Sequence, residues 1–135
     1  MATIRRFEDV TAWQKARELA KLVYQASSQG KFAKDFELKN QINSACGSIM
    51  DNIAEGFGRG GRNEFVNFLS IAKGSCTEAK SQLYKALDKE YIEKVTFENL
   101  YQLADETNKL INGLMEYLNN SKISGQKFKN RTEAN

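Results

Sequence analysis

Residues 65–87, FVNFLSIAKGSCTEAKSQLYKAL, decide the fold class of this chain. Their apolar residues recur every three or four positions, so they share one face of a helix turned by about 100° per residue. A stripe this long and narrow predicts a helix that buries one face in a core. The small residues Ala72, Gly74 and Ala79 are predicted to let this helix approach its neighbours closely. The stripe consists of Phe65, Phe68, Leu69, Ala72, Cys76, Ala79, Leu83, Ala86 and Leu87.

Three further segments have the same helical period rather than the two-residue period of a strand. With the first segment they predict four helices, over residues 12–28, 36–58, 64–88 and 97–119. Thr11, Asp35 and Asn63 are suitable caps for the first three helices. Because the turns between the segments are short, neighbouring helices are expected to run antiparallel. We therefore predict an all-α, up-down-up-down four-helix bundle in residues 1–120 and a basic, disordered tail in residues 121–135.

The junction between the second and third predicted helices combines four glycines with two arginines, in Gly56-Phe57-Gly58-Arg59-Gly60-Gly61-Arg62. A helix rather than a strand precedes it, and it lacks the Gly-Lys-Ser/Thr of a P-loop, so a nucleotide site is disfavoured. Glycine adopts left-handed backbone angles at low cost, which favours a helix stop and a chain reversal. A third interpretation is that Arg59 and Arg62 bind phosphate beside the free amides of the next helix.

A polar stripe on the second predicted helix is a candidate subunit interface. Residues 40–50, NQINSACGSIM, contain no charge, whereas exposed helices usually carry lysine and glutamate. Small neutral groups are cheaper to cover with another subunit than lone charges are. The alternative is a solvated face opposite the core, on which Glu55 and Arg59 form a pair four residues apart. The interface candidates are Gln41, Ser44, Ser48, Asn52 and Glu55.

Composition argues against several kinds of catalytic and metal site. The chain has no histidine, which is the commonest general base and metal ligand. Cys46 and Cys76 are far apart in sequence, which favours small core residues over a zinc site or a disulfide. Neighbouring carboxylates such as Asp105 and Glu106 point apart on a helix and are interpreted as surface charge. We expect no catalytic residue, metal, cofactor or enzyme activity.

The location of the protein is predicted from two absences in its sequence. No apolar run approaches the ~18 residues of a membrane span. The first ten residues, MATIRRFEDV, lack the apolar stretch of a signal peptide. These features predict a cytoplasmic protein without a membrane partner.

Charge is unevenly distributed along the chain. Residues 1–62 carry a net charge of +3, residues 63–120 of −3, and residues 121–135 of +3. A neutral bundle with a basic tail is a mild indication of an anionic partner such as RNA or DNA. The candidate nucleic-acid-binding residues are Arg5, Arg6, Arg59, Arg62, Lys127, Lys129 and Arg131.

Several short motifs between residue 7 and about residue 118 resemble those of one protein family. The motifs are Phe7-Glu8-Asp9-Val10, Trp13-Gln14-Lys15-Ala16, Gln41-Ile42, Ser48-Ile49, Asn52-Ile53-Ala54-Glu55-Gly56, Arg59, Glu64-Phe65, Phe68-Leu69, Ile71-Ala72-Lys73-Gly74-Ser75 and Glu78. They resemble the four-helix-bundle proteins encoded in intervening sequences of 23S ribosomal RNA. That family is similar to the accessory variability determinants of diversity-generating retroelements. The resemblance implies a bacterial, non-enzymatic, ring-shaped homopentamer.

The resemblance also implies partners, and the sequence departs from the family pattern where they would bind. For the retroelement relatives it implies binding of nucleic acid and of a reverse transcriptase through a basic surface. The family has arginines after Gln-Ile, but Asn43 and Ser44 stand there in this chain. Met50 replaces the family's proline, which should make the helix more regular. The missing arginines weaken the argument for nucleic-acid binding through this helix.

Two hypotheses for the function follow. The first is a nucleic-acid-binding oligomer, in which a ring of +3 chains concentrates the arginines and tails on one rim. The second is a protein-interaction scaffold without direct affinity for nucleic acid, for example a partner of a reverse transcriptase. The neutral bundle and its acidic second half favour the scaffold.

Overall fold

The structure, a computed structural model, describes residues 4–120 and is helical throughout its regular elements. A 3-10 turn at Phe7–Asp9 is followed by five α-helices. The helices are α1 (Thr11–Ser27), α2 (Gly30–Lys34), α3 (Phe36–Gly58), α4 (Arg62–Asp88) and α5 (Lys94–Asn120). The all-α prediction is confirmed, whereas the 3-10 turn and the five-residue α2 were not predicted. The predicted tail, residues 121–135, lies outside the described residues.

The residues at the starts of α1, α3 and α4 can be compared with the predicted helix caps. The side chain of Asp35 accepts a hydrogen bond from the backbone amide of Leu38 at 3.1 Å, which confirms it as the cap of α3. The prediction for Thr11 was wrong, because Val10 stands at the cap position and Gln14 Nε2 donates instead to the Glu8 carbonyl at 2.8 Å. The prediction for Asn63 was also wrong.

Helix α4 begins one residue before Asn63, and Gly61 stands at its cap position with an extended backbone. The capping residue can be glycine because an extended backbone already leaves its carbonyl free to accept the first helical bond. The amide of Phe65 donates to that Gly61 carbonyl at 3.0 Å. Arg62 thus lies within the first turn of α4 rather than in the loop before it.

The four long helices pack around one apolar core. Helix α1 contacts α3 and α5, and α4 contacts the same two helices. The stripe predicted on α4 is buried except at Phe68 and Leu87, which are half-buried; Leu87 packs against the core. The largest buried side chains of the core include Leu19 of α1, Ile42, Ile49 and Ile53 of α3, Leu69 and Leu83 of α4, and Ile111 and Leu118 of α5.

Helices α3 and α4 approach each other closely at Gly56. A Cβ atom placed on Gly56 would lie 2.6 Å from the Cβ of Phe68 and 3.1 Å from Cδ1 of Phe65. The predicted close contact at Gly74 was wrong, since a Cβ there would meet nothing within 4 Å. In the loop that follows α3, Gly60 has a φ of 84°, the left-handed conformation that glycine adopts at low cost.

The short helix α2 closes one end of the bundle. Its Phe32 is buried and stacks on Tyr91 with ring centroids 5.4 Å apart. The hydroxyl of Tyr91 donates to Asp35 Oδ2 at 2.8 Å, and Lys89 Nζ lies 3.2 Å from the same oxygen. One carboxylate therefore joins the start of α3 to the loop between α4 and α5.

Candidate nucleic-acid and subunit interfaces

Arg59 is half-exposed at the end of α3 and is already paired with acidic side chains. Its Nη2 lies 3.1 Å from Glu55 Oε2, and its Nη1 lies 3.9 Å from Glu64 Oε2. The guanidinium also stands over the ring of Phe68, 5.2 Å from its centroid. These contacts fix the direction of Arg59 and offset its charge. A phosphate group would have to compete with two carboxylates at this position.

Arg62 reaches from the start of α4 to the end of α5. Its Nη1 donates to the backbone carbonyl of Leu118 at 3.5 Å. The last carbonyls of a helix have no partner within the helix and carry partial negative charge, so a guanidinium stabilises them. Arg62 therefore has a structural role that the sequence did not indicate, because its partner is 56 residues away.

Arg5 and Arg6 lie just before the 3-10 turn and are exposed. The backbone amides of both residues donate to Asp9 Oδ2, at 3.1 and 3.2 Å, and Arg6 Nη2 lies 2.7 Å from Glu8 Oε2. The 3-10 turn contacts α1 and α3. The three other candidate residues, Lys127, Lys129 and Arg131, lie outside the described residues.

The polar stripe on α3 divides into an exposed part and a hydrogen-bonded part. Gln41, Ser44 and Glu55 are exposed, whereas Ser48 and Asn52 are half-buried. Ser75 Oγ of α4 donates to Ser48 Oγ at 2.9 Å, and Asn52 Nδ2 donates to the same oxygen at 3.0 Å. The alternative of a solvated face opposite the core does not hold for the whole stripe, because Ser48 and Asn52 are half-buried and Ser48 bonds to α4.

Helix α4 also contains a buried polar side chain that is not fully hydrogen-bonded. Gln82 of α4 is only 7% exposed, and its Oε1 has no hydrogen-bond partner among the described residues. A buried oxygen without a hydrogen bond is unfavourable, and most such atoms in folded proteins are paired. Near the other end of α4, Ile71 leaves half of its side chain exposed.

A surface group of aromatic rings lies between α4 and α5, and it was not predicted as a site. Tyr84 packs against Phe97 and Tyr101, with ring centroids 4.8 and 5.6 Å away. Lys80 Nζ stands 4.9 Å from the centroid of Tyr101. The only signal in the sequence is that Tyr84 and Tyr101 each follow a buried leucine, at the edge of an apolar stripe. Which edges meet depends on the register of two helices.

A small network of charges adjoins those rings. Asp105 Oδ1 lies 2.8 Å from Lys80 Nζ, and its Oδ2 lies 3.3 Å from Lys109 Nζ. The hydrogen bond from Lys80 lowers the pKa of the Asp105 carboxyl below its ordinary value, and the bond from Lys109 adds to this. The pKa of Lys80 is raised by the same hydrogen bond. Lys80 thus carries its charge beside the ring of Tyr101 at neutral pH, and the formal charges of the three groups sum to +1.

The two cysteines are buried free thiols. Burial raises the pKa of each thiol to about 12, and the proximity of Cys76 raises the pKa of Cys46 further, because two thiolates would repel each other. A thiol with this pKa remains protonated at neutral pH and is a poor nucleophile and metal ligand.

Within residues 4–120, no group of histidine, cysteine, aspartate and glutamate side chains is suited to hold a metal ion. The described helices also include none with the length and apolar character needed to cross a membrane.

Comparisons with known proteins identify similar sequences and structures. The sequence model described as 23S rRNA-intervening sequence protein matches residues 8–113. A crystal structure of a protein of unknown function from the S23 ribosomal protein family of Bacteroides thetaiotaomicron superimposes with a TM-score of 0.72. The two sequences are 27% identical, over 78% of this chain and 98% of that one. No curated protein matches the sequence.

Proposed function

Because the chain belongs to the 23S rRNA-intervening sequence protein family, we propose that it is a non-enzymatic accessory protein that assembles with identical copies and binds nucleic acid. The observation that carries this proposal is the position of its basic residues. Arg59 and Arg62 flank the turn between α3 and α4, and Arg62 contacts the last turn of α5. Residues 121–135, which follow α5 in the sequence, carry a further net charge of +3.

An up-down-up-down arrangement of the long helices is part of this proposal. Ser48 of α3 meets Ser75 of α4, whereas the later residue Gly56 meets the earlier residue Phe68. Partner numbers that fall as residue numbers rise are expected for antiparallel helices. The pairs Lys80–Asp105 and Arg62–Leu118 support the same arrangement for α4 and α5.

Self-assembly is the second part of the proposal. The uncharged surface of α3 around Ser44 and the half-exposed Ile71 of α4 support a subunit contact on this side of the bundle. Contacts that join one surface of a subunit to a different surface of the next are called heterologous. They produce a closed ring when the rotations between successive subunits add up to a full turn. The family resemblance implies five copies, and the ring would gather five basic ends.

The test of nucleic-acid binding is a titration of labelled RNA and DNA with the native assembly at two salt concentrations. We expect binding that is tolerant of sequence and falls steeply with salt, because phosphate contacts release counterions. The Glu64→Gln variant should bind more tightly, since it releases Arg59 from one carboxylate. Gln25→Glu is a control that changes the net charge at an exposed position of α1, remote from Arg59, and it should not tighten binding. A wild-type protein without a salt-sensitive signal at micromolar concentration would contradict the proposed binding.

A second candidate function is a protein-interaction scaffold without direct affinity for nucleic acid. The intrachain contacts of Arg59 and Arg62 favour it, because both guanidinium groups already have partners. On this view the assembly binds another protein, for which the resemblance suggests a reverse transcriptase of a retroelement. The same titration distinguishes the two candidates, since the scaffold gives no signal with either nucleic acid. Cytoplasmic location remains part of both proposals.

A further inference from the structure

The aromatic group between α4 and α5 presents a fixed ring to solvent. Tyr84 is 49% exposed, whereas Phe97, against which its ring packs, is 8% exposed. Tyr101 meets Tyr84 edge-on, with an angle of 71° between the ring planes. Because two neighbouring rings hold one side of Tyr84, its other side is ordered before any partner binds. An ordered ring loses little conformational entropy on binding.

Cations border this platform of Tyr84, Phe97 and Tyr101. Lys80 stands over the ring of Tyr101 and shares the Asp105 carboxylate with Lys109, so these three charged groups have a formal net charge of +1. Lys73 and Arg62 precede Lys80 by 7 and 18 residues on α4. With 3.6 residues per turn, residues at these spacings lie within about 20° of the same side of a helix. The row of three cations runs from the platform toward the end of α4 at which Arg62 contacts α5.

A flat apolar ring beside a row of cations fits one kind of ligand better than others. Unpaired bases stack on exposed aromatic side chains, and the phosphates between them bind lysine and arginine. In a duplex the base faces are already stacked, so a duplex could use only the cations. An apolar protein partner would have to cover Lys80, Lys109 and Asp105, and removing such charges from water is costly.

We propose that the platform of Tyr84, Phe97 and Tyr101 stacks an unpaired base of a single-stranded nucleic acid, whose backbone follows the cations of α4 toward Arg62. This inference deepens the proposed nucleic-acid binding and rests on it. It adds a preference for single strands and a base-stacking site on α4 and α5 that lies beyond the arginine-rich turn. Tyr84 supplies the stacking surface, and Lys80 and Lys73 bind phosphates.

The experiment compares the affinities of a labelled single strand and of a duplex of the same sequence for the native assembly. Wild-type protein should bind the single strand more tightly. Tyr84→Ala should weaken single-strand binding by roughly ten-fold, within the range expected for one stacked base, and should change duplex binding little. Tyr84→Phe, which keeps the ring, should retain the wild-type affinity. Tyr24→Ala is the matched control, since Tyr24 is an exposed tyrosine of α1, 61% accessible.

Each other outcome has a distinct consequence. If Tyr84→Ala binds the single strand as tightly as wild type, or if Tyr84→Phe is as weak as Tyr84→Ala, the stacking platform is wrong while nucleic-acid binding stands. If Tyr84→Ala changes the mass of the assembly in light scattering, the rings form a subunit contact and the platform is again wrong. If wild-type protein binds neither probe, both this inference and the proposed nucleic-acid binding fail.

Discussion

Single residues set the local geometry of this bundle in ways that depend on their neighbours. Gly56 and Gly74 both lie within long helices, yet of the two only Gly56 faces another helix at close range. The sequence could not separate them, because the choice depends on which side of each helix meets a partner. Arg59 is a similar case: its pair with Glu55 was considered from their spacing, whereas its second partner, Glu64, becomes apparent only once α3 and α4 are placed together.

The packing at Gly56 leads to a stability prediction. Gly56→Ala should lower the free energy of unfolding by about 1–3 kcal/mol, because the new methyl group would overlap Phe68 and force the two helices apart. Urea unfolding followed by circular dichroism measures the change. Gly113→Ala is the matched control, since a Cβ there meets nothing within 4 Å and alanine is the better helix former. Equal effects of the two substitutions would contradict the close approach at Gly56.

Among the elements, long helices were predictable and short ones were not. The stripe from Phe65 to Leu87 repeats often enough to predict α4, and its burial agrees with the pattern. Helix α2 has only five residues, too few to establish a period, and its one buried residue is Phe32. Asp35 was predicted as a cap, but its bonds to Lys89 and Tyr91 join residues more than fifty positions apart.

The contacts of Asp35 with Leu38, Lys89 and Tyr91 lead to a prediction about stability in acid. The Leu38 amide, followed by the Tyr91 hydroxyl, lowers the pKa of Asp35 below its ordinary value of 3.8. Because the folded pKa lies below the unfolded one, the stabilisation is complete above about pH 4 and is lost as pH falls through the folded pKa. Asp35→Asn should therefore lower the urea midpoint at pH 6, and its deficit relative to wild type should shrink toward pH 2.

The control for this experiment is Asp51→Asn, which removes an exposed carboxylate from the same helix. It measures the effect of losing one negative charge without disturbing the cap of α3. Urea midpoints of the three proteins at several pH values between 2 and 6 give the comparison. A constant difference between wild type and Asp35→Asn across that range would show that the carboxylate does not contribute through its charge.

At the scale of the whole molecule, the sequence predicted the helical class better than the surfaces. Apolar periodicity identifies which residues turn inward, but it does not say which helix edges meet. The platform at Tyr84 forms only if α4 and α5 pack in the observed register. The burial of Ser48 within the polar stripe likewise depends on the register of α3 against α4. Surfaces that depend on such registers become visible only in the structure.

A charge placed on the proposed contact surface tests its position. Ser44→Glu should reduce the mass of the assembly, because a carboxylate between subunits would lose water without gaining a partner. Ser81→Glu, which adds the same charge to an exposed position of α4, should leave the mass unchanged. Loss of assembly in both variants, or in neither, would contradict a contact through this surface of α3.

The measurement that tests the central claim most directly is the mass of the wild-type protein in solution by multi-angle light scattering. Assembly of identical subunits predicts a mass that is a multiple of the 15.3 kDa chain, and the family resemblance implies a multiple of about five. A mass near 15.3 kDa over the working range of concentration would show a monomer and would contradict the account.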